Sequence, residues 1–398
     1  MTDTIQAARK QVLAFRLAGH NLVERQPLDR LADVAGACGI RNTPPGSALL
    51  ALNARLHDLR LDAFEAALDE ARELVEVLAM RISPHLVPTR DVAIFTLGAL
   101  PADEKSARGV LATSASNLDR HGISALDAIQ LTTEAARAEL ADGPLSRSAL
   151  SAGLTRALPE GLSQFCKPCG STHVYESLFR LAGVGGAFVI SRDGRNSVYV
   201  RTDRWLGAAP NGEPEHPAPA NEPPVDASGP RGQLLRRYLR CFGPSSAADF
   251  AAWVGITTAE AELTWKQMAA QLVPVDLDGR RSWLHADDLP SFNAPPEPSS
   301  IRLLPPYDAY LDQRDRAALL PDKALHRRVW AALGNPGVVL LDGEIAGIWR
   351  AQKKGKRLAV AVEPFGPLRP QARAEIEAEA GLLGPLRACT TVEVSFSA

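Results

Sequence analysis

Three groups of residues have types and spacings that could do chemistry. Cys166, Cys169 and His173 carry the local spacing of half a zinc site, two thiols flanking a short turn and an imidazole just beyond. No second Cys or His pair follows nearby, so His121 or Cys241 could complete the set only through the fold. A reduced, structural CxxC accounts for the same residues. Asp308, Asp312, Arg314 and Asp315 form an acid–base group on paper, and buried or interdomain ion pairs are the other reading of that composition. The third group is residues 38–55, CGIRNTPPGSALLALNAR, where Gly39, a lone Arg41, Asn42-Thr43 and a rigid Pro44-Pro45-Gly46 turn lead into a helix with Ser47 as its expected N-cap. That segment holds no nucleophile–base pair and no metal spacing. An ordinary interhelical turn explains it as well as a site does.

Basic residues cluster in three further places. Arg81 falls with Ser83 on an expected hairpin tip and His85 on the strand that follows, Arg231, Arg236, Arg237 and Arg240 run along one helix, and Arg350, Lys353, Lys354, Lys356 and Arg357 surround one β-turn. Each could follow a phosphate backbone or form a solvated face. The totals do not choose between these, because 44 Lys and Arg against 46 Asp and Glu leave a formal charge of -2. Any nucleic-acid footprint must therefore be local. The absence of a charged-then-apolar leader and of a bilayer-length apolar run points to a cytoplasmic chain with no membrane partner. Five scattered cysteines fit a reducing compartment, and disulfides are not expected.

The elements that must position these residues repeat. After two helices near 4–21 and 27–37, the loop, and helices from Ser47 and over 62–71, a short hairpin is expected over 74–87. Helices over 126–140 and 174–182, with a Gly143-Pro144 break between them, precede a hairpin closed by Asp193-Gly194. The order returns with helices over 234–241, 247–254 and 257–271, the last opening on a Thr257/Glu260 capping box, and a hairpin closed by Asp278-Gly279. Helix, helix, helix, hairpin is the order of a winged helix, and Gly255-Ile256 is the short turn a helix-turn-helix needs. A Pro-rich stretch at 208–229 reads as a linker. Beyond 300 the period is mostly two, with strands near 338–341, 345–349, 358–362 and 391–396 and a helix over 370–380.

The run LLPPYDAYLDQRDRAALLPD at 303–322, GNPGVVLLDGEIAGIWR at 334–350 and VEPF at 362–365 resemble the winged-helix DNA-binding family of the AlkZ/YcaQ-like DNA glycosylases. RISPHLVP at 81–88 is similar to that family's first-wing motif, and CKPCGSTHVYESLFR at 166–180 to its middle segment. The resemblance spans nearly the whole chain. It implies an α+β fold of tandem winged-helix domains in three copies, at 1–103, 104–207 and 230–292, followed by a small barrel-like β-rich domain at 300–398, together a cradle for duplex DNA. It also implies hydrolysis of the N-glycosidic bond of bulky N7-alkylated purines or crosslinks, with no metal and no cofactor.

Such a base is already a cationic leaving group, so catalysis reduces to placing a water and stabilising an electron-poor sugar. The family does this with a Gln-x-Gln or Gln-x-Asp motif, which by the resemblance falls here on Gly39-Ile40-Arg41. Gly39 cannot hold a water and Arg41 has donors only, whereas Asn42 could orient a water one residue away. Two functions follow from these residues: a monomeric double-stranded-DNA-binding protein that has lost the catalytic amides, or an active DNA glycosylase with an altered loop. The candidate site is Gly39, Arg41 and Asn42, and the candidate DNA contacts are Arg41, Arg81, His85, Arg236, Arg237, Lys353, Lys354 and Lys356. The expected partner is duplex DNA, alkylated or not, in a DNA-repair setting.

Overall fold

A computed structural model describes residues 4–194, 196–207, 229–277 and 279–397. The expected linker falls almost wholly on 208–228, outside the described residues, as does Asp278 of the third hairpin turn. The chain divides into two units, one of Met1–Ala67, Arg237–Ser246 and Gln271–Ala398, the other of Leu68–Arg236 and Ala247–Ala270.

In the second unit, strand Leu74–Leu78 pairs antiparallel with Pro84–Pro88, with Val77 opposite His85, and on its other side with Phe188–Asp193. That strand turns at Gly194 (φ 59°) into Asn196–Arg201, which pairs with the two-residue strand Leu145–Ser146. A left-handed residue is what a tight hairpin of right-twisted strands requires, and glycine supplies it without strain. Helices Ala125–Glu139, Arg147–Ala157 and Glu176–Val184 accompany this sheet, and Ser124 and Ser146 cap the first two through hydroxyls that accept from Asp127 N and Ala149 N. The helix expected from 174 starts at Glu176 because Ser171–Val174 is a strand, paired with Ser163–Cys166 in an isolated two-stranded sheet. Helices Ala247–Val254 and Thr258–Gln267 are joined through Gly255 (φ 99°). Only half of the expected capping box forms there. Thr257 Oγ1 accepts from Glu260 N at 3.3 Å, but the Glu260 carboxylate takes Arg231 Nη1 at 2.7 Å and Ala102 N at 3.0 Å instead of the cap.

The first unit holds helices Arg9–Gly19, Leu31–Gly36 and Ser47–Asn53 and two sheets. Hairpin Leu272–Leu277 and Arg280–His285 gains Ile5–Gln6 as a parallel third strand. A five-stranded sheet runs in the order Ile301–Leu304, Gly337–Leu341, Glu344–Lys354, Arg357–Pro364, Thr391–Phe396, antiparallel until the last pair, which is parallel. This corrects the expectation of a barrel. The sheet is open, with Ile301–Leu304 and Thr391–Phe396 as its edges, because the crossover through helix Pro370–Gly381 returns the chain to the far side of Arg357–Pro364 and not to the first strand.

The core of this unit gathers Leu13, Leu17, Leu22 and Ala54 from the N-terminal segments with Leu304, Tyr310, Leu319, Val338 and Ile348 of the sheet region. Two arginines, Arg16 within helix Arg9–Gly19 and Arg55 in the turn just past helix Ser47–Asn53, are buried beside that core. Arg55, 1% exposed, makes a two-pronged ion pair with Asp308 at 2.8 and 2.7 Å, and its Nε donates to His20 O at 2.9 Å. Burial alone would depress its pKa, and the Asp308 charge with its hydrogen bonds reverses that. Arg16 donates to Gln313 Oε1 at 2.6 Å and to the carbonyls of Gly243 and Pro244 at 3.0 Å each, and pairs with Asp315 at 2.8 Å.

Removing one member of such a pair leaves the other charge buried and unmatched. Asp308→Asn is expected to lower unfolding free energy by about 3–5 kcal/mol in urea titration, while Lys10→Ala, which breaks the exposed Lys10–Glu297 pair, leaves the midpoint where it was. A Cβ at Gly337 would meet Trp349 Cε2 at 2.3 Å and Leu304 O at 2.6 Å. Gly337→Ala is therefore expected to cost about 1–3 kcal/mol in the same titration.

Candidate functional site

The loop at 39–46 is held by its own polar groups. Gly39 takes φ 74°, and its N–H donates to Ala35 O at 3.1 Å as the chain leaves helix Leu31–Gly36. Ile40 is buried and Arg41 follows it on the two-residue strand Ile40–Arg41. Asn42 Oδ1 then accepts from Gly46 N at 2.9 Å and Ala48 N at 3.4 Å, which caps helix Ser47–Asn53 from outside. Ser47, expected to be the N-cap, is the first helical residue; Gly46 at φ 85° occupies the cap, and the buried Ser47 hydroxyl donates to Arg41 O at 3.2 Å. The side chains the loop offers are thus Arg41, Asn42 and Thr43, each part-exposed.

Arg41 lies against the segment that carries the strongest sequence signature. Its guanidinium carbon stands 5.1 Å from the Tyr307 ring centroid, and Nη1 is 3.8 Å from Asp312 Oδ1. The two charged side chains are 18% and 20% exposed, enough to meet a ligand and too little to be freely solvated. Tyr307 is at φ 61°, a conformation rare for an aromatic residue, and Asp308 beside it is fixed by Arg55. Beneath the loop, His20 Nδ1 is 3.7 Å from Cys38 Sγ, and the imidazole packs edge-on against Phe242 at 4.9 Å and Tyr310 at 5.4 Å. The Cys38 thiol is held well above the usual cysteine range by its contact with Cys241 and by burial. Cys241 Sγ in turn donates to Gly19 O at 3.4 Å and Ala37 O at 3.5 Å. These buried side chains close the floor of the loop.

The four acidic and basic residues of the signature separate into two roles. Asp308 is committed to a buried pair with Arg55, as the ion-pair reading expected, and Asp315, part-exposed, pairs with the buried Arg16, whereas Asp312 faces Arg41 at the loop. Tyr307 and Gln313 belong to the same surroundings and were not singled out in the sequence. Two signals could have found this clasp. Arg16 and Arg55 each stand alone in an apolar helical run, which obliges a buried partner, and the Pro305-Pro306-Tyr307-Asp308 turn supplies it.

The other candidates divide by exposure. His85, expected as a DNA contact, is 3% exposed and its Nδ1–H donates to Ser83 O at 2.8 Å, so the ring shapes the hairpin turn. Arg81 sits at the tip at φ 52° and is part-exposed. The basic helix is not a continuous track. Arg231 is buried on Glu260, Arg237 donates to Gly36 O, Arg240 pairs with Asp288 at 3.2 Å, and Arg236 is exposed. Around the turn at Gly355, Lys353, Lys354, Lys356 and Arg357 are all exposed; Lys353 reaches Arg387 O at 2.7 Å and Arg357 approaches Glu393 at 3.3 Å. All five cysteines are free thiols, and among the described residues no helix is long and apolar enough to cross a membrane. Cys241 groups with His20 and Cys38, so it does not complete the Cys166 set.

Similarity to known proteins follows the same lines. A solved structure, the Streptomyces sahachiroi DNA glycosylase AlkZ, superposes with a TM-score of 0.75 over 99% of this chain and 100% of that one at 19% identity, which establishes a shared fold. The interstrand DNA cross-link repair glycosylase of Streptomyces sahachiroi is 29% identical over 136 residues, and the match spans only 32% of this chain and 35% of that relative. The model of the AlkZ-like DNA glycosylases matches residues 34–386, from just ahead of the loop to the last helical turn before the final strand, and the chain belongs to that family.

Proposed function

We propose that this protein binds double-stranded DNA through three winged helices, at 1–103, 104–207 and 230–292, with a C-terminal β-rich domain at 300–398, and that its reaction loop has lost the family's water-holding amides at Gly39-Ile40-Arg41. The observation that carries this reading is the setting of Arg41. A guanidinium stacked on Tyr307 and 3.8 Å from Asp312 has donors and no acceptor, so it cannot orient or deprotonate a water. It also opposes the positive charge that develops on the sugar as the base departs. The same group is well matched to a phosphate oxygen. Asn42 does not restore the missing function, because its amide oxygen is engaged by Gly46 and Ala48.

One observation favours the alternative, an active glycosylase acting on bulky N7-alkylated purines or crosslinks. Asp312 brings a part-exposed carboxylate to the loop, the group type that can both hold a water and stabilise an oxocarbenium ion. The cross-link repair activity named for the Streptomyces relative is consistent with a bulky substrate. In either reading the backbone contacts are Arg81, Arg236 and the Lys353, Lys354 and Lys356 turn.

Base release from duplex containing N7-alkylguanine separates the two. The binding reading expects none from the native protein, and it expects measurable release to appear in Arg41→Gln. Release by the native protein that is abolished in Asp312→Asn would replace it with the enzymatic reading. Duplex affinity measured against salt tests the lysine turn. Changing Lys353, Lys354 and Lys356 together to Gln should flatten the slope of log K on log salt by about 2–3, near 0.9 for each phosphate that is no longer neutralised; an unchanged slope would remove that turn from the interface.

A further inference from the structure

We propose that Cys166, Cys169 and His173 bind a zinc ion that staples the hairpin of strands Ser163–Cys166 and Ser171–Val174, with a water as the fourth ligand. The register places the donors. Cys166 is opposite Ser171 and Gln164 opposite His173, so Cys166 and His173 project from the same face of the hairpin, one cross-strand step apart. Cys169 enters from the connecting turn, which Gly170 closes at φ 64° with its N–H on Cys166 O at 2.9 Å. The Sγ atoms of both cysteines and a ring nitrogen of His173 lie within 4.8 Å of one another. Tetrahedral bonds of about 2.3 Å to sulfur and about 2.0 Å to nitrogen put ligand atoms roughly 3.5–3.8 Å apart, so closure needs only side-chain adjustments.

The neutral tautomer of His173 leaves a nitrogen for a metal. His173 Nδ1 is 3.0 Å from Val174 O, an acceptor only, so Nδ1 carries the hydrogen and Nε2 keeps its lone pair for a metal. In the other cysteine cluster the Cys38 thiol is buried and pushed up, and Cys241 spends its hydrogen on backbone carbonyls. Two thiolates and an imidazole are a soft, tetrahedral donor set that selects zinc over magnesium or calcium.

The hairpin also needs a staple. It is a two-stranded sheet on its own, its residues are mostly exposed, and Phe165 stands 64% exposed at its end. Paired strands of four residues anchored only at their base, where Val174 is buried and its N–H donates to Thr155 Oγ1 at 3.1 Å, are marginal in water. Metal binding supplies the missing free energy locally. Among the described residues no fourth Cys, His, Asp or Glu joins the cluster, which leaves the remaining position to solvent.

The full chain, purified under reducing conditions, loaded with zinc and desalted, is expected to retain about one zinc per chain. Cobalt in its place should give thiolate-to-metal charge-transfer and tetrahedral d–d absorption. Cys166→Ser, Cys169→Ser and His173→Gln should each weaken zinc binding at least about tenfold, while Cys38→Ala combined with Cys241→Ala leaves it intact. Removing zinc with a chelator should speed amide exchange at 163–174 and leave the five-stranded sheet protected. The proposal is overturned if no zinc is retained, if zinc disappears with Cys38 and Cys241 instead, or if thiol counting finds Cys166 and Cys169 joined as a disulfide in the reduced preparation.

Discussion

A guanidinium taken almost wholly out of water needs its donors matched, and four of the five N–H groups of Arg55 are, with two prongs on Asp308, one bond to Ala51 O and one to His20 O. Asp308 is equally committed, since its Oδ1 also accepts from Tyr310 N at 3.0 Å. The end of helix Arg9–Gly19, helix Ser47–Asn53 and the turn at 305–310 are therefore fixed to one another through a single planar contact. Arg16 repeats the device further along the same signature, on Gln313 and Asp315. Such pairs add less net stability than apolar contacts would, but they tolerate little displacement. The loop enters helix Ser47–Asn53 directly, and Tyr307 and Asp312 bracket Asp308. The spacing between Arg41 and Asp312 thus follows from the clasp beneath them.

The sequence disclosed those parts of the fold that rest on local chemistry. The hairpins around Gly194 and Gly279, the helix Ala247–Val254 and the strand Thr391–Phe396 were legible because glycine turns, period and caps act within a few residues. What failed depended on competition. Ser47 lost the cap to Gly46 because Asn42, five residues earlier, reaches over the turn, and Glu260 left its capping box because a buried Arg231 needed a carboxylate more. The strands at 163–166 and 171–174 escaped notice because an exposed hairpin leaves no apolar alternation to read. Sheet closure is set by crossovers, which no pattern within a strand records. At the candidate site the loop itself was visible from Pro44, Pro45 and Gly46, while its partners Tyr307 and Asp312, more than 250 positions away in the chain, were visible only as a signature without a role.

Arginine is abundant in this chain yet much of it is spent internally. Arg25 is paired with Glu379, Arg231 with Glu260, Arg147 and Arg180 with Glu176, and Arg192 with Asp69. Planar, two-pronged recognition of carboxylates suits this work, and a lysine at those positions would match it poorly. The turn around Gly355 is different, with three exposed lysines and an exposed Glu393 near them. With a total charge of -2, attraction to a polyanion has to come from such local concentrations.

The chemistry open to the loop turns on which side of the Arg41 and Asp312 pair a sugar would approach. At 3.8 Å the two charges are too far apart for a short hydrogen bond and do not cancel at close range. Tyr307 holds the cation by its ring face. A developing oxocarbenium ion next to Asp312 is stabilised; one next to Arg41 is repelled. The buried clasp holds the turn that carries the pair, so the chemistry open to the loop is decided by the part-exposed side chains of Arg41 and Asp312 and not by the scaffold beneath them.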